Sequence, residues 1–214
     1  LRSQVKARWI NRGQACRALA VLSQDPSTGK TFTAVNLAVT FAQIGARTLL
    51  IDADLRRPSV HKKLNLEGNQ GLSSVLNEEM SWKDAIVKIP GHENLSIIPA
   101  GPPSRRASDL IGPRMVEILD EVAKEFDLVI VDAPPLLGFA EALQMANAVD
   151  GVVVVTRAGE TNRKAVSTVL ATLARIRANV LGLVLNQVKK GMSDSYYYYG
   201  YYRKYYAAAN GAGQ

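Results

Sequence analysis

The chain of 214 residues has one cysteine, no long apolar run and no metal-binding histidine pattern. Cys16 alone forms no internal disulfide, which suits a reducing compartment. The longest apolar stretches, such as 128–131 and 152–155, fall far short of the roughly 18 residues that span a bilayer and fit buried strands. His61 and His92 are isolated. These absences exclude a disulfide scaffold, a spanning helix and a histidine metal centre within this sequence.

Dense basic blocks are also missing, although the net charge is +7 from 26 basic and 19 acidic residues. The basic residues are scattered, with small groups at Arg56-Arg57, Arg105-Arg106, Lys189-Lys190 and Arg203-Lys204. No nucleic-acid partner is indicated. A nucleotide polyphosphate, an anionic membrane face or an acidic protein would explain the charge equally well.

Tyrosine is absent outside positions 196–206, where all eight tyrosines of the chain stand. A domain of this size normally uses tyrosine throughout, so these rings do not serve the fold. The phenol is both an adhesive group and a phosphoryl acceptor, and both uses remain open at this point. The candidate acceptors are Tyr196, Tyr197, Tyr198, Tyr199, Tyr201, Tyr202, Tyr205 and Tyr206.

Apolar segments without polar alternation, separated by amphipathic segments, predict a doubly wound α/β domain with a mostly parallel sheet and helices on both faces. We expect three regions: an N-terminal helix within 1–17 with a possible oligomer contact, the α/β domain at 18–188, and a flexible tyrosine-rich tail at 189–214. Predicted strands are 18–22, 48–51, 95–98, 128–131, 152–155 and 180–185. Predicted helices are 3–12, 30–43, 72–76, 82–86, 114–125, 140–148 and 163–176. Because the first residue is leucine, we also expect a fragment whose membrane anchor could precede it.

A phosphate-binding loop is predicted where the first strand meets the first long helix, in Ser-Gln-Asp-Pro-Ser-Thr-Gly-Lys-Thr at 23–31. Gly29 permits close backbone approach, and the helix N-terminus directs free N–H groups at an anion. Lys30 would neutralise phosphate charge, and the Thr31 hydroxyl would bind Mg²⁺. The usual first glycine of this motif is replaced by Gln24.

Carboxylates follow two other predicted strands. Asp52 and Asp54 end the segment Leu-Leu-Ile-Asp-Ala-Asp, and Asp132 ends Leu-Val-Ile-Val-Asp. Ligands bind at the carboxyl ends of parallel strands. Buried carboxylates there are costly unless they are paired or bound to metal. A Mg²⁺ ion near Lys30 would satisfy them.

Together the Pro-x-x-Gly-Lys-Thr loop, Ile-Asp-Ala-Asp-Leu-Arg-Arg-Pro, Val-Asp-Ala-Pro-Pro and the tyrosine cluster resemble the bacterial tyrosine kinases of exopolysaccharide and capsule export, from about residue 18 to 206. The resemblance implies an ATP- and Mg²⁺-dependent kinase that phosphorylates its own tail and regulates polysaccharide export. It makes Lys30, Asp52 and Asp54 catalytic, with Asp52 taking or orienting the tyrosine proton. The implied metal ligands are Thr31, Asp54 and Asp132. The implied nucleotide contacts are Pro26, Ser27, Thr28, Gly29, Lys30, Thr31, Phe32 and Asn186, of which Asn186 would read the adenine edge.

The resemblance further implies a transmembrane activator or polysaccharide co-polymerase, fused upstream or separate, a cognate tyrosine phosphatase and a homo-oligomer. It places the chain in the cytoplasm at the inner membrane face. Thr28 stands where the family often has Glu, and of its Glu-x-x-Arg-x-x-Arg helix only Arg2 is available, with Val5 at the later arginine position. Arg56 and Arg57 would contact an acceptor or a neighbouring subunit, or be solvated. We expect tail phosphorylation to occur mainly between molecules and to dissolve the assembly that it requires, because a phosphorylated tail would be repelled from a neighbour's carboxylate-rich site.

Two rival interpretations stay open. An ATPase switch of the division-site or partitioning type would release phosphate on meeting a partner and use the tail as an adhesive. Such ATPases commonly carry a second lysine early in the loop, and 24–28 has none. A non-catalytic scaffold would bind nucleotide without turnover, against which the retained lysine and aspartates argue.

Overall fold

The computed structural model describes residues 1–9 and 18–189. Their strands are β1 Ala18–Ser23, β2 Thr48–Asp52, β3 Val87–Lys88, β4 Leu95–Ile98, β5 Leu128–Asp132, β6 Gly151–Arg157 and β7 Val180–Asn186. Their helices are α1 Arg2–Trp9, α2 Lys30–Ala42, α3 Val60–Leu64, α4 Leu72–Leu76, α5 Ala107–Leu110, α6 Pro113–Glu125, α7 Ala140–Ala148 and α8 Arg163–Arg175.

The strands form one sheet in the order β3-β4-β2-β5-β1-β6-β7. Every pairing is parallel except the short antiparallel β3–β4 pair. The inner strands are buried along their whole length because their sequences are apolar on both faces. The predicted doubly wound sheet is confirmed.

Two hydrophobic cores lie on opposite faces of this sheet. One contains the buried face of α2, including Leu37 and Phe41, together with Val5 of α1. The other contains residues of α4, α6, α7 and α8, with Met115 and Leu173 fully buried. Because strand residues alternate between the faces, the sheet supplies both cores, and its strand ends are held rigidly from two sides.

The structure departs from the sequence prediction at short elements. The helix expected at 82–86 is a turn, because the chain enters β3 at Val87 and Trp82 is fixed by packing and by a 2.8 Å indole hydrogen bond to Glu121. The elements α3, α5 and β3 were not predicted. Helix α1 is described from Arg2 to Trp9, and the rest of the helix expected at 3–12 lies outside the described part, as do residues 13–17 with Cys16.

No helix in the described residues is long and apolar enough to cross a membrane. The boundaries expected at 17–18 and 188–189 stay predictions.

Candidate functional site

The loop between β1 and α2 has the backbone that phosphate binding requires. Gly29 has φ +93° and precedes the first residue of α2. Its carbonyl accepts from the Thr33 amide and hydroxyl, both at 2.9 Å, which fixes the loop to the first turn. A Cβ at Gly29 would lie 2.0 Å from the Asn186 amide nitrogen and would displace it, and the positive φ strains any other residue. Because Gly29 has no side chain, the free N–H groups at the N-terminus of α2 are accessible to an anion.

Lys30 faces two strand-end carboxylates. Its Nζ lies 3.8 Å from Asp54 Oδ2 and 3.7 Å from Asp132 Oδ1, and all three side chains are largely buried. Asp132 is completely buried, and neither of its carboxylate oxygens has a hydrogen-bond partner among the described residues. Burial raises the pKa of Asp132 above its usual range, and the Lys30 charge opposes that rise. The carboxyl is therefore poorly satisfied by protein groups alone.

Asp52 organises the loop that follows β2. Its Oδ2 accepts from the backbone amides of Ser59 at 3.1 Å and Val60 at 3.0 Å, and its Oδ1 accepts from Asp54 at 3.2 Å. Burial and then the Asp132 charge raise its pKa to about 7, while these backbone bonds lower it. Asp52 is fully buried and holds this loop in place, and its expected part in receiving the tyrosine proton stays a prediction.

Ser59 joins this loop to the phosphate-binding loop. Its hydroxyl lies 2.9 Å from the Thr31 hydroxyl. The Arg57 amide donates to Asp54 Oδ1 at 3.0 Å. Thr31 and Asp54, both expected to bind metal, are thus positioned by the same segment.

Asn186, at the end of β7, also contacts the phosphate-binding loop. Its Nδ2 donates to the Thr28 carbonyl at 2.8 Å, and its Oδ1 accepts from the Gln187 amide at 2.9 Å. One N–H and one lone pair remain for an adenine edge. The residue therefore ties the edge of the sheet to the loop, whatever it reads in a nucleotide.

A cavity of about 1020 Å³ opens over these groups. This volume reaches the upper end of the roughly 300–1,000 Å³ typical of ligand pockets. The expected site residues that line it are Pro26, Ser27, Gly29, Lys30, Thr31, Phe32, Asp54 and Asn186. Thr28, Asp52 and Asp132 are buried and do not line it. The expected tyrosine acceptors lie outside the described residues.

The rest of the lining was not assigned a definite role from the sequence, or was missed. It comprises Arg56, Arg57, Ser59, Lys63, Pro135, Phe139 and Gln187. Arg56 Nε donates to Glu141, a side chain only 1% exposed, and its guanidinium lies 5.2 Å from the Phe139 ring centroid. Among the described residues the cavity lining carries four basic side chains and one carboxylate, so the expected carboxylate-rich docking surface is not what lines it.

A Mg²⁺ ion fits this arrangement. Neither oxygen of buried Asp132 accepts a hydrogen bond of 3.5 Å or less from the described residues, Lys30 approaches only to 3.7 Å, and the Thr31 hydroxyl and Asp54 stand in the same network. The described residues contain no cluster of three or more His, Cys, Asp or Glu side chains that could cage a metal. Mg²⁺ commonly takes one or two carboxylates together with substrate phosphates and water, which this donor set allows.

A glycine-containing loop at the start of α2, one lysine and strand-end aspartates define a P-loop nucleotide-binding domain. The AAA domain family matches residues 16–186. The tyrosine-protein kinase YwqD of Bacillus subtilis is 37% identical over 86% of this chain and 78% of that protein. The kinase domain of the Escherichia coli tyrosine kinase ETK superposes with a TM-score of 0.82 at 30% identity, covering 89% of this chain and 74% of that one. The chain belongs to the bacterial tyrosine-protein kinases.

Among longer relatives, the succinoglycan biosynthesis transport protein ExoP of Rhizobium meliloti is 34% identical over 82% of this chain, which corresponds to 23% of its length. The chain thus matches one part of a larger protein in some relatives.

Proposed function

We propose that the protein transfers the γ-phosphoryl group of ATP to tyrosines of its own 196–206 tract, mainly between molecules, and thereby regulates exopolysaccharide or capsule export. The observation that carries the proposal is a single cavity containing both the phosphate-binding loop and the strand-end carboxylate Asp54. Family membership and the concentration of all eight tyrosines in one tract support it.

The chemistry expected of these residues is positioning and charge neutralisation, because phosphoryl transfer has a loose transition state. Loop amides and Lys30 hold the phosphates in line with an acceptor. Thr31, Asp54 and Asp132 would hold Mg²⁺, which when bound would neutralise phosphate charge. Transfer breaks the bond between the γ-phosphorus and the β–γ bridging oxygen and forms the tyrosine O–P bond, releasing ADP.

The tyrosine proton also requires an acceptor. We assign its acceptance or orientation to Asp52, because burial raises the pKa of that carboxyl to about 7, which suits a base near neutral pH. Asp54, which lines the cavity, then serves the metal alone. Asp52 also supports Asp54 by accepting its amide and by anchoring the loop to α3.

The decisive experiment incubates the full chain with γ-labelled ATP and maps the label. We expect phosphotyrosine in the 196–206 tract of the wild type and none in Lys30→Met. The control Lys124→Met removes an exposed lysine on α6 and should retain labelling. The kinase assignment would be rejected if the wild type gave no phosphotyrosine. It would also be rejected if Lys30→Met, incubated without active chains, were labelled as strongly as the wild type.

Transfer between molecules is tested by mixing Lys30→Met chains with active chains whose eight tyrosines are phenylalanine. Label on the Lys30→Met tail supports transfer between molecules, and its absence refutes it. Phosphate release without phosphotyrosine would favour the ATPase switch, and nucleotide binding without turnover would favour the scaffold.

The wider assignment concerns location and partners. Because ExoP is named as a transport protein and this chain matches only part of it, we propose that the chain works at the inner membrane face with a transmembrane co-polymerase. A homo-oligomer and a cognate phosphatase complete the proposed cycle.

A further inference from the structure

The cavity lining beyond the phosphate-binding loop carries three basic side chains and one aromatic ring. We call Arg56, Arg57, Lys63 and Phe139 the basic wall. The loop after β2 contributes Arg56 and Arg57, the last turn of α3 contributes Lys63, and the segment before α7 contributes Phe139.

Positive charge on the basic wall is only partly neutralised. Within the part of the chain that the structure describes, Arg56 of the wall is paired with Glu141. Lys30, which lies outside the wall, faces Asp54 and Asp132. No described acidic group lies within ion-pair distance of Arg57 or Lys63, and both are exposed. The wall therefore offers two cationic groups to an anion that enters the cavity.

The Arg56 guanidinium is oriented so that its free N–H groups can bind an oxyanion. Glu141 binds its Nε and is itself fixed by burial in the first turn of α7. The terminal amino groups of Arg56 donate no hydrogen bond to any described residue. A guanidinium constrained on one edge presents its other donors in a fixed fork, the geometry that suits phosphate oxygens. Glu141 thus acts on Arg56 as a positioning residue.

Phe139 adds an apolar face beside that fork. Its ring is partly exposed and lies 5.2 Å from the Arg56 guanidinium carbon. Aromatic rings pack on each other in offset or edge-to-face arrangements. A ligand that joins an aromatic ring to a phosphate dianion would engage the ring, the fork and the two exposed cations together.

We propose that the basic wall binds a phosphotyrosine of a neighbouring copy's acceptor tract, so that the first phosphorylation accelerates the next. This inference rests on the proposed kinase function. The tract contains adjacent tyrosines at 196–199, 201–202 and 205–206, so a modified residue always has unmodified neighbours. Binding the modified residue at the wall keeps such a neighbour near the phosphate-binding loop.

This inference restricts one expectation drawn from the sequence to the heavily phosphorylated tail. Phosphates on the tail were expected to weaken docking by repulsion from carboxylates. The carboxylates Asp52 and Asp132 are buried away from the cavity lining, whereas the wall is cationic. Early phosphates, each about −1.5 to −2 charges, therefore strengthen docking at this site.

The test uses full chains whose eight tyrosines are phenylalanine and two synthetic peptides of residues 194–206. One peptide is unmodified, and the other carries phosphotyrosine at position 201. At about pH 7.5, where phosphotyrosine is mostly dianionic, we expect kcat/KM to be about tenfold higher for the phosphopeptide, mainly through a lower KM, because its contacts are charge-assisted. A ratio of one would overturn the proposal.

Variants locate the effect. Arg57→Gln with Lys63→Gln should bring the ratio of the two kcat/KM values close to one. The matched control Lys62→Gln changes an exposed lysine of the same helix that does not line the cavity, and it should keep the ratio. A ratio that survives the double substitution overturns the proposal. So does an increase in the KM for ATP with an unchanged peptide ratio, which would assign the cations to the nucleotide.

Direct binding separates this inference from the kinase assignment. Fluorescence anisotropy without nucleotide measures the affinity for both peptides whether or not transfer occurs. If the phosphopeptide binds more tightly and this difference requires Arg57 and Lys63, phosphotyrosine binding at the wall is supported. If in addition neither peptide is labelled by ATP, only the kinase assignment fails. Equal affinities overturn the wall while labelling preserves the kinase. Glu141→Gln should weaken phosphopeptide binding, and loss of binding of the unmodified peptide by the same factor would indicate a merely structural role.

Discussion

Replacing the buried carboxylate at the end of β5 with its neutral isostere should stabilise the nucleotide-free protein. Asp132 has no exposed surface and no hydrogen-bond partner among the described residues. Its attraction to Lys30 acts over 3.7 Å, and Lys30 is shared with Asp54. Because burial outweighs that attraction, the pKa of Asp132 is raised, which means that folding disfavours its charged form. Asp132→Asn removes this penalty.

The magnitude follows from opposing terms. An ion pair at this separation is worth about 4 kcal/mol at an effective dielectric constant near 20, while burial of each ion costs several kcal/mol. An unpaired amide in the same place costs roughly 1–3 kcal/mol. Relief of the repulsion that helps to raise the pKa of Asp52 to about 7 adds to the gain. These terms nearly cancel, and Lys30 keeps Asp54 as its partner, so we expect Asp132→Asn to raise the free energy of unfolding by about 1 kcal/mol rather than to cost the roughly 3–5 kcal/mol of a broken buried pair.

Urea unfolding with EDTA at about pH 7.5 measures this change, since both carboxyls ionise in the unfolded chain there. The control Asp120→Asn, on the exposed face of α6, should change the unfolding free energy by less than about 0.5 kcal/mol. Saturation with Mg-ADP at about 100 times Kd should stabilise the wild type by about 2.7 kcal/mol and the variant by much less. A loss of 1 kcal/mol or more for Asp132→Asn in EDTA would refute the reasoning by showing that the Lys30 pair is net stabilising.

Two further substitutions probe the loop and the core. Gly29→Ala should abolish Mg-ADP binding measured by calorimetry and should lower the free energy of unfolding by about 1–3 kcal/mol. The reasons are that φ is +93° and that the new Cβ would displace the Asn186 amide from the Thr28 carbonyl. Wild-type affinity for Mg-ADP would contradict this. Met115→Ala, in the core and outside the cavity lining, should cost about 2–5 kcal/mol in urea unfolding while kinase activity below the melting temperature persists. A cost below about 1 kcal/mol would contradict the packing.

Much of the site could be predicted because its residues follow strongly patterned elements. The apolar runs before Asp52 and Asp132 identify parallel strands, and parallel strands end at one edge. Gly29, Lys30 and Thr31 begin an amphipathic helix, so their place at that edge follows as well. The structure brings all of these residues together.

The basic wall could not be predicted with the same certainty because its contacts span irregular segments. Arg56 and Glu141 are 85 residues apart, and neither stands at the end of a patterned strand. Helix α3 has five residues and begins where Asp52 accepts the Ser59 and Val60 amides. Such a helix depends on a buried carboxylate rather than on apolar periodicity, so its bounds and the position of Lys63 are not evident from local sequence.

Strand register explains why this site tolerates so little change. Asp52 and Asp132 are direct register partners on β2 and β5, and Val21 of β1 pairs with Asp132 on the other side. A slip of one residue would turn each carboxylate to the opposite face of the sheet, away from Lys30. The cores on both faces hold the register, since each strand residue near these ends is fully buried. Packing on both faces of the sheet therefore sets the distances between Lys30 and the aspartates. The Asp132 carboxylate stays buried without a hydrogen bond from any described residue because the strand register fixes its position.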